Sequence, residues 1–155
     1  LAAPTGLAAT ASDSQVALGW NAVANASYYL VSRSLTNGGP YTQIAAVMAT
    51  SYTDLSLANG TNYFYVVKAV NAIGTSVNSA EISARPVSLT RPTTSFALVG
   101  NQLQLSWPAD HTGWRLQMNT NLSTANWLDV AGTKEANFVS IPITNGNAFF
   151  RLVYP

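Results

Sequence analysis

The stretch LANGTNYFYVVKAVN, from Leu57 to Asn71, limits what this 155-residue chain can fold into more than any other part of it. From Tyr63 onward, Tyr63, Tyr65, Val67 and Ala69 share one face of an extended strand, because successive side chains alternate. Phe64 and Val66 fall on the opposite face. Asn59-Gly60 just upstream is a turn dipeptide, so this strand begins at a chain reversal.

The composition suits strands and turns. Hydrophobic residues make up 48% and charged residues only 8%, against about 25% charged in an ordinary domain. The sequence holds 16 Thr, 15 Ser and 14 Asn, so neutral hydrogen-bonding groups supply the polar surface. These residues compete with helical hydrogen bonds and disfavour helix. A net charge of +1 with two lysines gives no basic track for phosphates, which disfavours nucleic acid as a partner. The absence of cysteine excludes disulfides, thiolate zinc sites and thiol nucleophiles. No apolar run reaches the roughly 18 residues of a membrane span, and no charged-then-apolar signal segment stands at the start. The chain opens on Leu1-Ala2-Ala3-Pro4 without methionine and reads as a piece of something longer.

Taken in order, Pro4–Ala11 reads as an edge strand, since proline is rejected from a central one. Gln15–Trp20 follows, with Val16, Leu18 and Trp20 on one face. Tyr28–Arg33 presents Tyr29 and Val31 to the same core. Tyr41–Val47 and Ser51–Leu55 are the fourth and fifth strands, Tyr63–Asn71 the sixth, and Val77–Ala84 the seventh. Asn37-Gly38-Gly39 precedes a strand and is a hairpin loop, not a phosphate cradle, which opens a helix.

Seven short strands with a tryptophan on the second resemble the fibronectin type III family, in its bacterial branch, over residues 4–86. The resemblance rests on Pro4, Trp20, Tyr29, Gly39-Pro40-Tyr41, Ser51-Tyr52-Thr53 and Leu57–Asn71 followed by Gly74. Leu57, a turn and Tyr63 resemble the tyrosine corner of immunoglobulin-like sandwiches. There the ring fills the core and the hydroxyl bonds an upstream backbone group, worth about 1 kcal/mol. The resemblance implies a piece that sits beside catalytic domains of secreted polysaccharide-degrading enzymes.

Residues 87–91 read as an extended linker between prolines, and beyond it the pattern recurs. Trp107 follows Trp20 by 87 residues and Leu116 follows Tyr29 by 87; Trp127, Phe138 and Ile143 follow Tyr41, Tyr52 and Leu57 by 86. This period predicts a second sandwich over 92–155, smaller and lacking the seventh strand. Its ending, Phe149-Phe150-Arg151-Leu152, resembles a C-terminal module of secreted bacterial proteins. Burying an unpaired Arg151 is costly, so an 87-residue offset is preferred there, placing Phe150, Leu152 and Tyr154 inward and Phe150 at the corner position. The exposed last strand invites edge pairing. Thr94–Val99 is expected to cover it, or else a neighbouring domain or chain does. The fold class is therefore all-β, two tandem immunoglobulin-like sandwiches, with a monomer expected unless that edge pairs.

No catalytic, metal-binding or cofactor-binding residue is expected. His111 beside Asp110 is read as a polar turn, because a lone histidine offers no partner for a zinc site or a Ser-His-Asp arrangement. Six scattered acids do not make a glycosidase pair in a filled sandwich. Trp20 and Trp107 belong to the cores. The ligand-contact candidates are Tyr28, Phe64, Trp114 and Trp127. Tyr28, Leu30, Phe64 and Val66 are expected to form one apolar patch outside the first sandwich, facing the second domain or the parent protein. The function expected is a non-catalytic accessory spacer of a larger secreted polysaccharide-active enzyme, with its catalytic domain as partner. The alternatives are a carbohydrate-binding module acting through those aromatics on a polysaccharide, and a surface adhesion or assembly segment using the unpaired edge.

Overall fold

The computed structural model describes every residue except Asn145 and Pro155. The chain divides into two compact units, Leu1–Pro86 and Val87–Pro155. Apart from one short 3-10 turn, Ala109–His111, the elements among the described residues are strands.

In the first unit the strands are β1 (Ala8–Ser12), β2 (Gln15–Gly19), β3 (Tyr28–Ser34), β4 (Thr42–Val47), β5 (Ser51–Leu55), β6 (Tyr63–Asn71), β7 (Gly74–Thr75) and β8 (Ile82–Ala84). One sheet runs β1-β2-β5; the other runs β4-β3-β6, with β7 and β8 both paired to β6. Val16, Leu18 and Trp20 from the first meet Tyr29, Val31, Tyr65 and Val67 from the second in one core. Each such side chain removed from water contributes about 1.5–3 kcal/mol. Trp20 meets the Tyr29 ring edge-on at 5.5 Å. The tyrosine corner is formed: the Ala58 N–H donates to the Tyr63 hydroxyl at 3.0 Å.

Two strands differ from expectation. The first begins at Ala8, not Pro4, because Gly6 adopts a positive φ of 66° against the Asn21 side chain, which interrupts the extended run. The expected seventh strand, Val77–Ala84, is present only as β8, with β7 before it. Between them serine side chains complete the ladder. Ser76 N–H donates to Ala69 C=O at 2.8 Å while Ala69 N–H donates to Ser76 Oγ at 2.9 Å. Ser79 does the same with Val67, whose N–H donates to Ser79 Oγ at 3.0 Å. Each hydroxyl in turn donates to the next residue's carbonyl.

The second unit has β9 (Ser95–Val99), β10 (Gln102–Ser106), β11 (Arg115–Asn119), β12 (Leu128–Asp129), β13 (Phe138–Pro142) and β14 (Phe149–Val153). Its sheets run β13-β10-β9 and β12-β11-β14. Leu105 and Trp107 from one side meet Leu116 from the other, with Val139, Ile141, Phe150 and Leu152 packed around them. Both indoles are buried, Trp20 at 6% exposure and Trp107 at 3%, in separate cores.

Strand pairing corrects the period. Val139 opposes Leu105 as Tyr52 opposes Leu18, an offset of 139 − 52 = 87. Val139, not Phe138, therefore takes the place of Tyr52, and Phe138 is 49% exposed. Leu128 opposes Met118 as Ala45 opposes Val31, so Trp127 falls at the place of Ile44 and not Tyr41. Phe150 opposes Met118 as Val67 opposes Val31, an offset of 150 − 67 = 83. The last connection is thus four residues shorter, and Gly146, not Phe150, falls at the Tyr63 position. Phe150 and Leu152 still face the core, since 83 and 87 have the same parity, and Arg151 is exposed. Tyr154, expected inside, is 38% exposed.

Two further expectations change. Thr94–Val99 does not cover β14, because β9 pairs with β10. Residues 87–91 are also not a free spacer: Val87 and Ser88 are buried, and Ser88 N–H donates to Asp110 C=O at 3.0 Å.

Candidate functional site

The apolar patch expected on the first unit is not continuous. Antiparallel register places Tyr28 opposite Val70 and Phe64 opposite Ser34, so the two rings stand six residues apart along the ladder, about 20 Å. Lys68 lies opposite Leu30, and Ser32 opposite Val66. Tyr28 is 37% exposed, whereas Val66 is buried and Phe64 is half-buried. The loop between β3 and β4 accounts for this. Gly38 N–H donates to Glu81 at 2.9 Å and the Tyr41 hydroxyl donates to the same carboxylate oxygen. Ile82 pairs with Tyr65, which puts Glu81 level with Val66 on the outer face, so the loop folds back over that end of the sheet. The Glu81 hydrogen bond pushes the Tyr41 phenol up to about 12.

Between the two sheets Asp54 of β5, 5% exposed, accepts from the Arg33 guanidinium at 2.9 Å and from the Tyr65 hydroxyl at 2.9 Å. Burial first, then the Asp54 hydrogen bond, push the Tyr65 phenol far above its ordinary range. Arg33 also lies 5.3 Å from the Tyr63 ring centroid. This arrangement is a buried strut joining the two sheets, with its polar groups paired.

In the second unit Trp114 is withdrawn as a ligand contact. It is 8% exposed, its Nε1 donates to Ser88 C=O at 3.0 Å, and its faces meet His111 and Tyr154. His111 is buried at 3%, with Nδ1 2.7 Å from Asp110 and Nε2 2.8 Å from Thr90 C=O. Both ring nitrogens face acceptors inside the unit, so the ring clamps residues 88–90 to the 3-10 turn and leaves neither nitrogen for a ligand. Among the described residues no group of three or more His, Cys, Asp or Glu could hold a metal ion.

Trp127 is half-buried, and the Arg151 guanidinium stacks 4.3 Å from its ring centroid. Arg151 Nε donates to Gln117 at 2.9 Å, Gln117 donates to Asp129 at 2.8 Å, and Arg115 donates to Asp129 at 2.7 Å. The Gln117 hydrogen bond, then Arg115, hold the Asp129 carboxyl below its ordinary value. Sequence reading missed this row. Its only signal was the outward parity of Arg115 and Gln117; the partners on β12 and β14 come from register. The four aromatic candidates therefore fall in four separate surroundings.

No family model matches the chain. Among solved structures, an Fn3-like protein from Clostridium thermocellum is 42% identical, with a TM-score of 0.50, over 57% of this chain and 95% of that one. The chain belongs to the fibronectin type III family. The chain is also similar to parts of larger proteins. A β-1,2-glucanase from Parabacteroides distasonis matches at 29% identity and TM-score 0.53, over 58% of this chain and 13% of the glucanase. A poly(3-hydroxybutyrate) depolymerase of Ralstonia pickettii is 51% identical over 84 residues, 53% of this chain and 16% of the depolymerase. An amylopullulanase of Thermoanaerobacterium saccharolyticum is 33% identical over 103 residues, 66% of this chain and 8% of that enzyme. The chain thus spans under a fifth of the length of these curated relatives.

Proposed function

We propose that this chain is a non-catalytic accessory segment of a larger secreted bacterial enzyme, supporting or spacing a catalytic domain elsewhere in the parent protein. The observation that carries the reading is the small share of each related enzyme that it matches, 16% of the depolymerase and 8% of the amylopullulanase. The chemistry of the residues agrees. His111 has both nitrogens engaged within the fold, and Asp54 and Asp129 hold arginines where a glycosidase would present a carboxyl pair to substrate. A polysaccharide is the favoured substrate of the parent, supported by the amylopullulanase and the glucanase; the depolymerase names the competing polymer class.

Two measurements test the reading. Deleting these residues from the parent enzyme should leave kcat on a short soluble substrate unchanged, and the chain alone should pass unretained through columns of starch, pullulan, cellulose, xylan, chitin and poly(3-hydroxybutyrate). Turnover by the chain alone would refute it. Retention lost in Trp127→Ala would make it a binding module instead.

A further inference from the structure

The two units share a strand plan, so each is a template for the other. At one end of the first core Val16 opposes Asp54, Val31 opposes Val67 and Arg33 opposes Tyr65. There the rings of Tyr63 and Tyr65 and the Arg33 side chain fill the space beside Asp54. Val16, Val31, Asp54, Val67 and both tyrosines are all buried.

At the matching end of the second core Leu103 opposes Ile141 and Met118 opposes Phe150. Continuing the same registers carries Arg33 onto Thr120, Tyr65 onto Ala148 and Tyr63 onto Gly146. Two phenol rings and a guanidinium are thus replaced by a hydroxyl, a methyl and a hydrogen. Met118 and Phe150, in place of two valines, do not make up the loss: a cavity of about 380 Å³ remains, with Thr120, Gly146 and Ala148 in its lining. Its walls are Leu103 of β10, Met118 of β11, Ile141 of β13 and Phe150 of β14. These four are only half-buried, where their counterparts in the first unit are buried. The polar side chains of Thr120 and Asn147 also line it and are exposed, which places them at the mouth. Among the described residues that line it none is charged.

We infer that this cavity binds one neutral phenolic ring, seated between Leu103, Met118, Ile141 and Phe150 with its hydroxyl toward Thr120 and Asn147. The volume and the apolar walls with a few polar groups suit a small-molecule site. A ring is favoured because the first unit fills the same place with its own phenols, and because Phe150 and the Met118 sulfur both make favourable contacts with aromatic faces and edges. The ligand is neutral because Ile141 and Thr120 stand where Asp54 and Arg33 stand in the first unit, so an entering charge would lose its water and find no partner.

The test follows the methyl resonances of the whole chain by NMR while 4-methylphenol, the tyrosine side chain without its backbone, is added. The methyls of Leu103, Met118 and Ile141 should shift saturably, half-complete at about 10 mM or below, while those of Val16, Val31 and Val67 stay in place. Its charged relative 4-hydroxybenzoate should bind at least about tenfold more weakly, and 4-methylcyclohexanol, which has no aromatic face, should also bind more weakly. Ala148→Tyr puts back the first unit's ring and should abolish the response; Ala148→Leu narrows the cavity with a smaller side chain and should weaken it. Four results would overturn the inference: no saturable shift, equal shifts in the first unit's methyls, an equal response to either of the other two compounds, or a response that Ala148→Leu leaves unchanged.

Discussion

Serine side chains at 76 and 79 stand in for a strand, and removing one hydroxyl has a calculable cost. Ala69 is fully buried and Ser76 is 7% exposed, so Ser76→Ala strands the Ala69 N–H without its acceptor. Leaving a buried donor unsatisfied costs about 1–3 kcal/mol. The carbonyl that loses its bond belongs to Val77, which is 75% exposed and turns to water at little cost. For a unit of this size that loss lowers the melting temperature by about 5–20 °C. Ser79→Ala should behave alike through Val67. Ser83→Ala is the control: it makes the same chemical change on the exposed face of β8 and should shift the melt by under about 0.5 kcal/mol. Thermal unfolding followed by circular dichroism, with exchange of the Ala69 amide read by NMR, checks both. If Ser76→Ala unfolds with Ser83→Ala and the Ala69 amide exchanges no faster, the hydroxyl is not part of the ladder.

Other expectations follow from the same geometry. Tyr63→Phe removes the corner hydrogen bond and should cost about 1 kcal/mol in urea unfolding. Arg33→Ala leaves Asp54 buried with Tyr65 alone; because the Arg33 side chain is 33% exposed, the loss should be about 1–3 kcal/mol, below the full range for a buried pair. Arg33→Leu with Asp54→Leu should recover part of it, and a double change worse than Arg33→Ala would refute the strut. Tyr41 titrates at about 12 in the folded chain against 10.0 ordinarily. Its folded value is raised, so its contribution is full below pH 10.0, is lost as pH climbs to about 12, and is unaffected by acid at the phenol itself. Glu81→Gln should bring the phenol's ultraviolet titration back toward 10.0; an unmoved titration would refute the loop bond.

Periodicity made some of this readable before any coordinates and hid the rest. The alternation Tyr63, Tyr65, Val67, Ala69 gives the buried face of β6 directly, and the two tryptophans mark two cores. A repeat of two residues cannot, however, tell an offset of 83 from one of 87, since both bury Phe150 and Leu152; only the hydrogen-bond ladder to β11 decides it. The same limit produced the false patch, because knowing that Tyr28 and Phe64 face outward on neighbouring strands says nothing of how far antiparallel register separates them. Trp114 had a buried parity, but its acceptor is a backbone carbonyl at Ser88, which no side-chain pattern reveals. The row from Trp127 to Arg115 likewise joins three strands whose pairing leaves no local mark.

The clamp on residues 88–90 bears on how the second unit can be made by itself. A fragment cut at Pro92, where the composition suggests a boundary, would discard the carbonyls of Ser88 and Thr90 that receive Trp114 Nε1 and lie against His111 Nε2. An indole and an imidazole would each keep a polar nitrogen in a hollow with nothing opposite. A fragment starting at Val87 retains both acceptors, so the useful cleavage point lies just after Pro86, five residues ahead of the one the prolines advertise.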